Sequence, residues 1–270
     1  MSAALRVGIA GLGAIGRAVL RKINQGGIPN IVLAGICVRD RAKAEAFLNE
    51  IGATAPILEI AELAERSDVV IECAPAAVLP AIAAPVLGAG KKLMVLSAGM
   101  LLSHPELLAL AKEHGGQIIV PTGALIGFDA VSAAAEGAIQ SVTMVTRKPV
   151  KGLIGAPYLT RNAIDIEGIT EAKRVFQGSA REAAAGFPEN VNVAAALSLA
   201  GIGPDRTTIE IWADPNVTRN IHRVTVEADS ARFEMSIENV PSENPKTGRI
   251  TALSAIAALR KMTAPLRVGT

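Results

Sequence analysis

Gly11, Gly13 and Gly16 stand at G-x-G-x-x-G spacing directly behind an apolar run, Val7-Gly8-Ile9-Ala10. A strand over residues 5–10 must end in a tight turn, which Gly11 permits. Gly13 lets backbone come close to a pyrophosphate, and Gly16 lets the next helix sit against the strand. Ala14 and Ile15 open that helix, whose N-terminus offers N–H donors and a positive dipole end to phosphates. The five residues Gly11, Gly13, Ala14, Ile15 and Gly16 are therefore candidate contacts for a dinucleotide. A glycine turn without a ligand is the alternative. It is disfavoured by the strand before the turn and by a second apolar run, Ile31 to Val38, after it.

The end of that second run bears on which dinucleotide is bound. An acid there binds a ribose 2′-OH. Here the run closes Ile36-Cys37-Val38 and continues Arg39-Asp40-Arg41. Arg39 suits a 2′-phosphate and Asp40 a hydroxyl, so both NADP and NAD fit, unless the two arginines are simply solvated loop charges. Ala74, just past the third strand, is a further expected cofactor contact.

Proton chemistry points to histidine, of which the chain has three. His104 and His114 flank one helical stretch and have structural explanations there, the second as a cation near a helix C-terminus. His222 has none. It follows the polar turn Asp214-Pro215-Asn216-Val217-Thr218-Arg219-Asn220 and is the candidate acid/base. No cysteine or histidine spacing suits a metal, and no Ser or Cys nucleophile constellation stands out.

The elements that must position these groups divide into two styles. Continuously apolar strands are expected at Leu5–Ala10, Ile31–Val38, Val69–Cys73, Leu93–Ser97 and Gln117–Pro121. Helices are expected near Ile15–Asn24, Arg41–Ile51 and Pro105–His114. Ser103, with Glu106 three residues on, reads as the cap of the last helix. This is the pattern of a doubly wound parallel sheet of Rossmann type. Beyond about Gly123 the pattern alternates, at Ser141–Arg147, Thr207–Ala213, Arg223–Ala228 and Arg232–Glu238, with helices near Phe128–Gly137 and Val191–Leu199. That reads as a second α+β domain with a mostly antiparallel sheet. The expected division is a dinucleotide-binding Rossmann domain over 1–123, a catalytic and dimerisation domain over 124–244, and a C-terminal helix within 245–270 that packs back on the first.

Composition excludes other classes. The chain has 270 residues, net charge +2 and 3% aromatic residues, which argues against nucleic acid or an anionic membrane as partner. The uncharged stretch Cys73 to Gly90 carries Pro75, Pro80 and Pro85. It reads as a strand end and a sheet-covering segment rather than a membrane span. The first strand begins at residue 5, leaving no room for a signal peptide. The two cysteines, Cys37 and Cys73, are expected buried and reduced, as in a cytoplasmic protein.

Six segments together resemble the L-aspartate dehydrogenase family. They are Ser97-Ala98-Gly99-Met100-Leu101, Pro121 to Ala130, Thr146-Arg147-Lys148-Pro149, Phe187 to Ala195, Ala213 to His222 and Asn244-Pro245-Lys246-Thr247-Gly248. The resemblance implies NAD(P)-dependent interconversion of L-aspartate and iminosuccinate, the imine hydrolysing to oxaloacetate and ammonia, with iminosuccinate available for NAD biosynthesis. It implies that His222 is the acid/base, that Ala124 and either Asn190 or Asn192 meet the nicotinamide end, and that the assembly is a homodimer. The two substrate carboxylates need cations or N–H donors. Lys246 and the helix start at Thr247 suit them, as do Arg147 and Lys148, and Asn220 is expected beside the substrate. A related two-domain reductase acting on another imine or carbonyl is the competing reading, and a nucleotide sensor without catalysis is a weaker one.

Overall fold

The computed structural model describes residues 4–188, 191–241 and 248–269. The chain forms two compact units, 1–121 with 252–267 and 122–251 with 268–270.

The first unit runs β1 (Leu5–Ala10), α1 (Ala14–Asn24), β2 (Ile31–Cys37), α2 (Arg41–Glu50), α3 (Ile60–Arg66), β3 (Val69–Glu72), α4 (Leu79–Gly88), β4 (Lys92–Val95), α5 (Ala98–Leu101), α6 (Glu106–His114) and β5 (Gln117–Ile119). Its sheet has the order β2-β1-β3-β4-β5, with every neighbouring pair parallel. The strands read as apolar runs because both faces are covered. Val7, Ile9, Val69, Ile71 and Met94 pack into one cluster with Val19, Leu20 and Phe47. Val70, Leu93 and Val95 pack into another with Leu79, Val86 and Leu87 of α4.

One local expectation is made more specific and one is corrected. The stretch with three prolines contains a full helix, α4, in which Pro80 occupies the first turn and Pro85 lies inside. Proline is tolerated at the first position because no N–H bond is needed there. Ser103 does not cap α6. Pro105 holds the cap position with no side-chain bond, and Glu106 is engaged by His104 Nδ1 at 2.7 Å. The capping box lies elsewhere, at Ser179 and Glu182.

The second unit runs α7 (Phe128–Ala135), β6 (Ile139–Lys148), α8 (Pro157–Arg161), β7 (Lys173–Ser179), α9 (Ala180–Gly186), α10 (Asn192–Ala200), β8 (Thr207–Ala213), β9 (Asn220–Ala228) and β10 (Arg232–Asn239). Its sheet has the order β10-β9-β6-β8-β7. All pairs are antiparallel except β6 with β8, which are parallel. Strand β7 lies outside the strands expected from alternation. One face carries Val142, Met144, Ile209, Ile211, Val224 and Val226 against Val131, Ala183, Ala194 and Leu197 of the helices. A ring cluster of Tyr158, Phe176 and Phe187, with centroids 5.1–5.6 Å apart, closes that core.

The last helix, α11 (Arg249–Thr263), contributes Ala255 and Leu259 to the core of the first unit. Arg260 donates to the carbonyl of Gly27, and Thr263 Oγ1 donates to that of Pro29 at 3.0 Å.

Candidate active site

In the first unit the glycine turn is built for a ligand's close approach. Gly11 has φ +98°, and a Cβ there would lie 2.6 Å from the Cys73 carbonyl and 2.8 Å from the Ala74 nitrogen. A Cβ on Gly16 would lie 2.2 Å from the Gly11 carbonyl. Both positions therefore exclude any side chain, while Gly13 and Ala14 are exposed at the turn's outer side. Gly13 caps α1 with no side-chain bond, and the first turn carries no acid. The positive end of the helix is thus left to an outside anion, as a bound pyrophosphate requires. Ala74 joins Gly11 at this turn. Behind them Glu72, fully buried, accepts from Leu96 N, Ser97 N and Ser97 Oγ at 2.9–3.1 Å. This ties the end of β3 to the turn after β4.

At the end of β2 the two charged candidates differ. Asp40 caps α2, accepting from Lys43 N at 3.1 Å and pairing with Lys43 Nζ at 3.2 Å. These bonds pull its carboxyl below the ordinary value. Its oxygens already have work in the fold. Arg39 is exposed.

In the second unit the helix-covered face changes character at one end of the sheet. Along β6 the inward residues run Val142, Met144, then Thr146 and Lys148. Along β9 they run Val226, Val224, then His222 and Asn220. On β10 the series ends at Asn239, opposite Asn220. Strand alternation and register gather five polar side chains on one face. All are nearly inaccessible: His222 3%, Lys148 4%, Thr146 4%, Asn220 7% and Asn239 2% exposed.

Thr146 stands opposite His222 across the β6–β9 pair, and its Oγ1 lies 3.1 Å from His222 Nδ1. Burial, helped by the Lys148 charge, pushes the imidazole down to about 3, so it is neutral near pH 7. Burial also brings Lys148 down from 10.5 to about 8. Keeping this ammonium dry costs on the order of 3 kcal/mol, which marks the position as one the fold maintains against stability. Asn239 donates from Nδ2 to the carbonyl of Ala124 at 2.8 Å, while its buried Oδ1 has no partner among the described residues.

Not every expected residue joins this group. Arg147 points to the opposite face from Lys148, where Asp214 holds its guanidinium at 3.2 Å and Trp212 lies beneath it at 4.9 Å. Asn192 is the first residue of α10. The entry to α10 is anchored by fully buried Phe187 in the ring cluster. Asn190, Lys246 and Thr247 lie outside the described residues.

Among known families, the model described as aspartate dehydrogenase, C-terminal, matches residues 129–262. That described as homoserine dehydrogenase, NAD binding domain, matches 11–121. L-Aspartate dehydrogenase of Bradyrhizobium diazoefficiens is 58% identical over 100% of this chain and 95% of its own. The chain belongs to the L-aspartate dehydrogenase family. A more distant member, from Methanocella arvoryzae, is 43% identical over 98% of this chain and 99% of its own. The crystal structure of aspartate dehydrogenase from Thermotoga maritima superposes with a TM-score of 0.73 at 21% identity, covering 98% of this chain and 99% of that one. This likeness bears out the α/β fold with its Rossmann-type parallel sheet and its second, mostly antiparallel sheet.

For a member of this family, the polar face around His222 contains two residues that strand reading left out. Thr146 opens the Thr146-Arg147-Lys148-Pro149 segment, where the two cations are the evident candidates. Asn239 lies one residue beyond the expected end of its strand. A strict two-residue period from Thr146 would have separated Lys148 from Arg147.

Proposed function

We propose that this chain is an NAD(P)-dependent dehydrogenase that interconverts L-aspartate with iminosuccinate and, after hydrolysis, oxaloacetate and ammonia. The observation that carries this reading is the 58% identity to an L-aspartate dehydrogenase over the whole chain, joined to a glycine turn and a buried histidine in the expected places. The cofactor, when bound, supplies the hydride acceptor. Gly11, Gly13, Ala14, Ile15, Gly16 and Ala74 would hold its pyrophosphate, and Ala124 with Asn190 or Asn192 its nicotinamide end. Arg39 would read a 2′-phosphate. Asp40, committed to its cap, is less available to a ribose hydroxyl.

The roles of the polar face follow from its chemistry. With Nδ1–H donated to Thr146 Oγ1, His222 Nε2 keeps its lone pair for a proton from the water that attacks the imine carbon. Asn220, Lys246 and Thr247 are proposed at the substrate. Arg147 is left out of that set because Asp214 and Trp212 hold it on the other face. The Asn239 anchor on Ala124 would keep that backbone in place.

A homodimer, a cytoplasmic location and a supply of iminosuccinate to NAD biosynthesis complete the proposal, supported by the sequence resemblance. Both cysteines are free, and among the described residues no helix is long and apolar enough to cross a membrane. Light scattering on the purified protein tests the dimer. The activity is tested by following oxidation of NADH and NADPH with oxaloacetate plus ammonia, beside a panel of other 2-oxo acids. Oxaloacetate-selective, ammonia-dependent oxidation is expected. Oxidation with a different keto acid and none with oxaloacetate would overturn the substrate.

A further inference from the structure

Before hydride can leave the Cα of an amino acid, its ammonium must lose a proton so that the nitrogen lone pair can close the C=N bond. His222 is poorly suited to that step. Its Nδ1 already faces Thr146 Oγ1 at 3.1 Å, and its one remaining ring nitrogen, Nε2, is assigned above to the water that attacks the imine carbon. Lys148 lies on the same face, two residues along β6 from the Thr146 hydroxyl that meets His222. Its side chain is 4% exposed, and its charge acts on His222. Across the sheet, His222 on β9 is a titratable group that feels the Lys148 charge. Asp214, at the end of β8, is turned to Arg147 on the opposite face at 3.2 Å. Asn220 and Asn239 add neutral amides.

We propose that Lys148 is a second catalytic residue of this site: its neutral Nζ takes the proton from the substrate's ammonium and, in reductive amination, returns it to the new amine. The inference rests on the aspartate dehydrogenase reading above. One N–H bond of the substrate breaks and one Nζ–H bond forms. The freed lone pair closes the C=N bond as the Cα–H electron pair leaves as hydride, for which the bound cofactor would supply the acceptor. Two positive charges in one dry patch oppose each other. The proton on Lys148 therefore passes to bulk water before His222 accepts another from the attacking water.

The two directions then respond oppositely to pH. Lys148 titrates at about 8, and oxidation needs it neutral. The kcat/KM for aspartate therefore climbs as pH rises through that value, and amination, which needs the ammonium, falls over the same window. Lys148→Arg keeps the charge and removes the titration. The test measures both directions on either side of this pKa for the wild type, Lys148→Arg and Lys148→Met, with thermal melting and NADH fluorescence as checks on folding and cofactor binding. The expected result is a kcat loss of about 10²-fold or more in both variants, intact NADH binding, and no limb near the Lys148 pKa.

Near-normal kcat in Lys148→Arg, or a limb that persists in it, would overturn the proposal. So would a Met variant with raised KM for aspartate and preserved kcat, since Lys148 would then be a carboxylate anchor. If the Arg variant does not bind NADH, Lys148→Gln, a polar side chain without a titrating group, tests the loss of the limb in its place. A wild-type protein with no ammonia-dependent activity defeats the aspartate reading itself, an outcome separate from any change in the variants.

Discussion

The two halves of the chemistry are built in opposite ways. The cofactor turn of the first unit is local: six consecutive residues, held open by backbone that tolerates no Cβ at Gly11 or Gly16. The polar face of the second unit is assembled from three strands whose contributing residues, Thr146, His222 and Asn239, are far apart in sequence. The turn presents backbone outward to an anion, whereas the face buries ionisable side chains and so changes their acidity. A local backbone motif tolerates changes around it. A buried cluster couples each member to its neighbours, so its substitutions should spread beyond the altered residue.

That contrast can be broken most decisively at His222. His222→Ala is expected to lower turnover about 10²- to 10⁴-fold while leaving cofactor affinity nearly unchanged; steady-state kinetics beside NADH fluorescence titration measures both. A parallel collapse of cofactor binding would mean that the two regions are not separable. The reciprocal experiment is Gly16→Ala. The added methyl collides with the Gly11 carbonyl, and overpacking of this kind costs about 1–3 kcal/mol. A lower Tm and a cofactor Kd raised roughly 10-fold or more are expected, with the His222 environment intact by NMR titration.

Acid stability sharpens the comparison further. The folded-state pKa of His222 lies below the ordinary 6.5, at about 3. The unfolded chain therefore binds the extra proton first, and stability falls as pH drops through this window. Replacing His222 with Asn should make the loss of Tm between these values shallower, as followed by circular dichroism. A smaller effect is expected of Thr146→Val, which removes the hydroxyl at Nδ1. Turnover should drop several-fold, in line with one hydrogen bond of about 0.5–1.5 kcal/mol, and the pH profile should shift. An unchanged profile would show that Thr146 does not set the ring's state. The smallest effect belongs to exposed Arg39: Arg39→Ala should raise the Kd for NADPH more than that for NADH, and equal changes would remove it from 2′-phosphate recognition.

Much of the site was legible in the residues themselves. The glycine spacing behind β1 located the turn, and elimination of His104 and His114 singled out His222. What escaped depended on which way a side chain points. Arg147 and Lys148 are neighbours of the same charge, yet alternation along β6 turns one to Asp214 and the other to His222. Asn239 fell just past an expected strand end, and only the β9–β10 register places it opposite Asn220. Strand β7 and helix α4 were missed because a Gly-containing edge strand and three prolines weaken the local signals that packing then overrides.

By itself the sequence determined the order and type of most elements, the parallel apolar sheet, the anion-ready helix start and the identity of the acid/base candidate. These rest on short-range rules: periodicity, glycine geometry and residue chemistry. Only the tertiary structure decided that His222 is dry and neutral, that Thr146 meets its ring, and that Lys148 shares its face. Desolvation and proximity across strands are properties of three-dimensional packing, and no spacing along the chain encodes them.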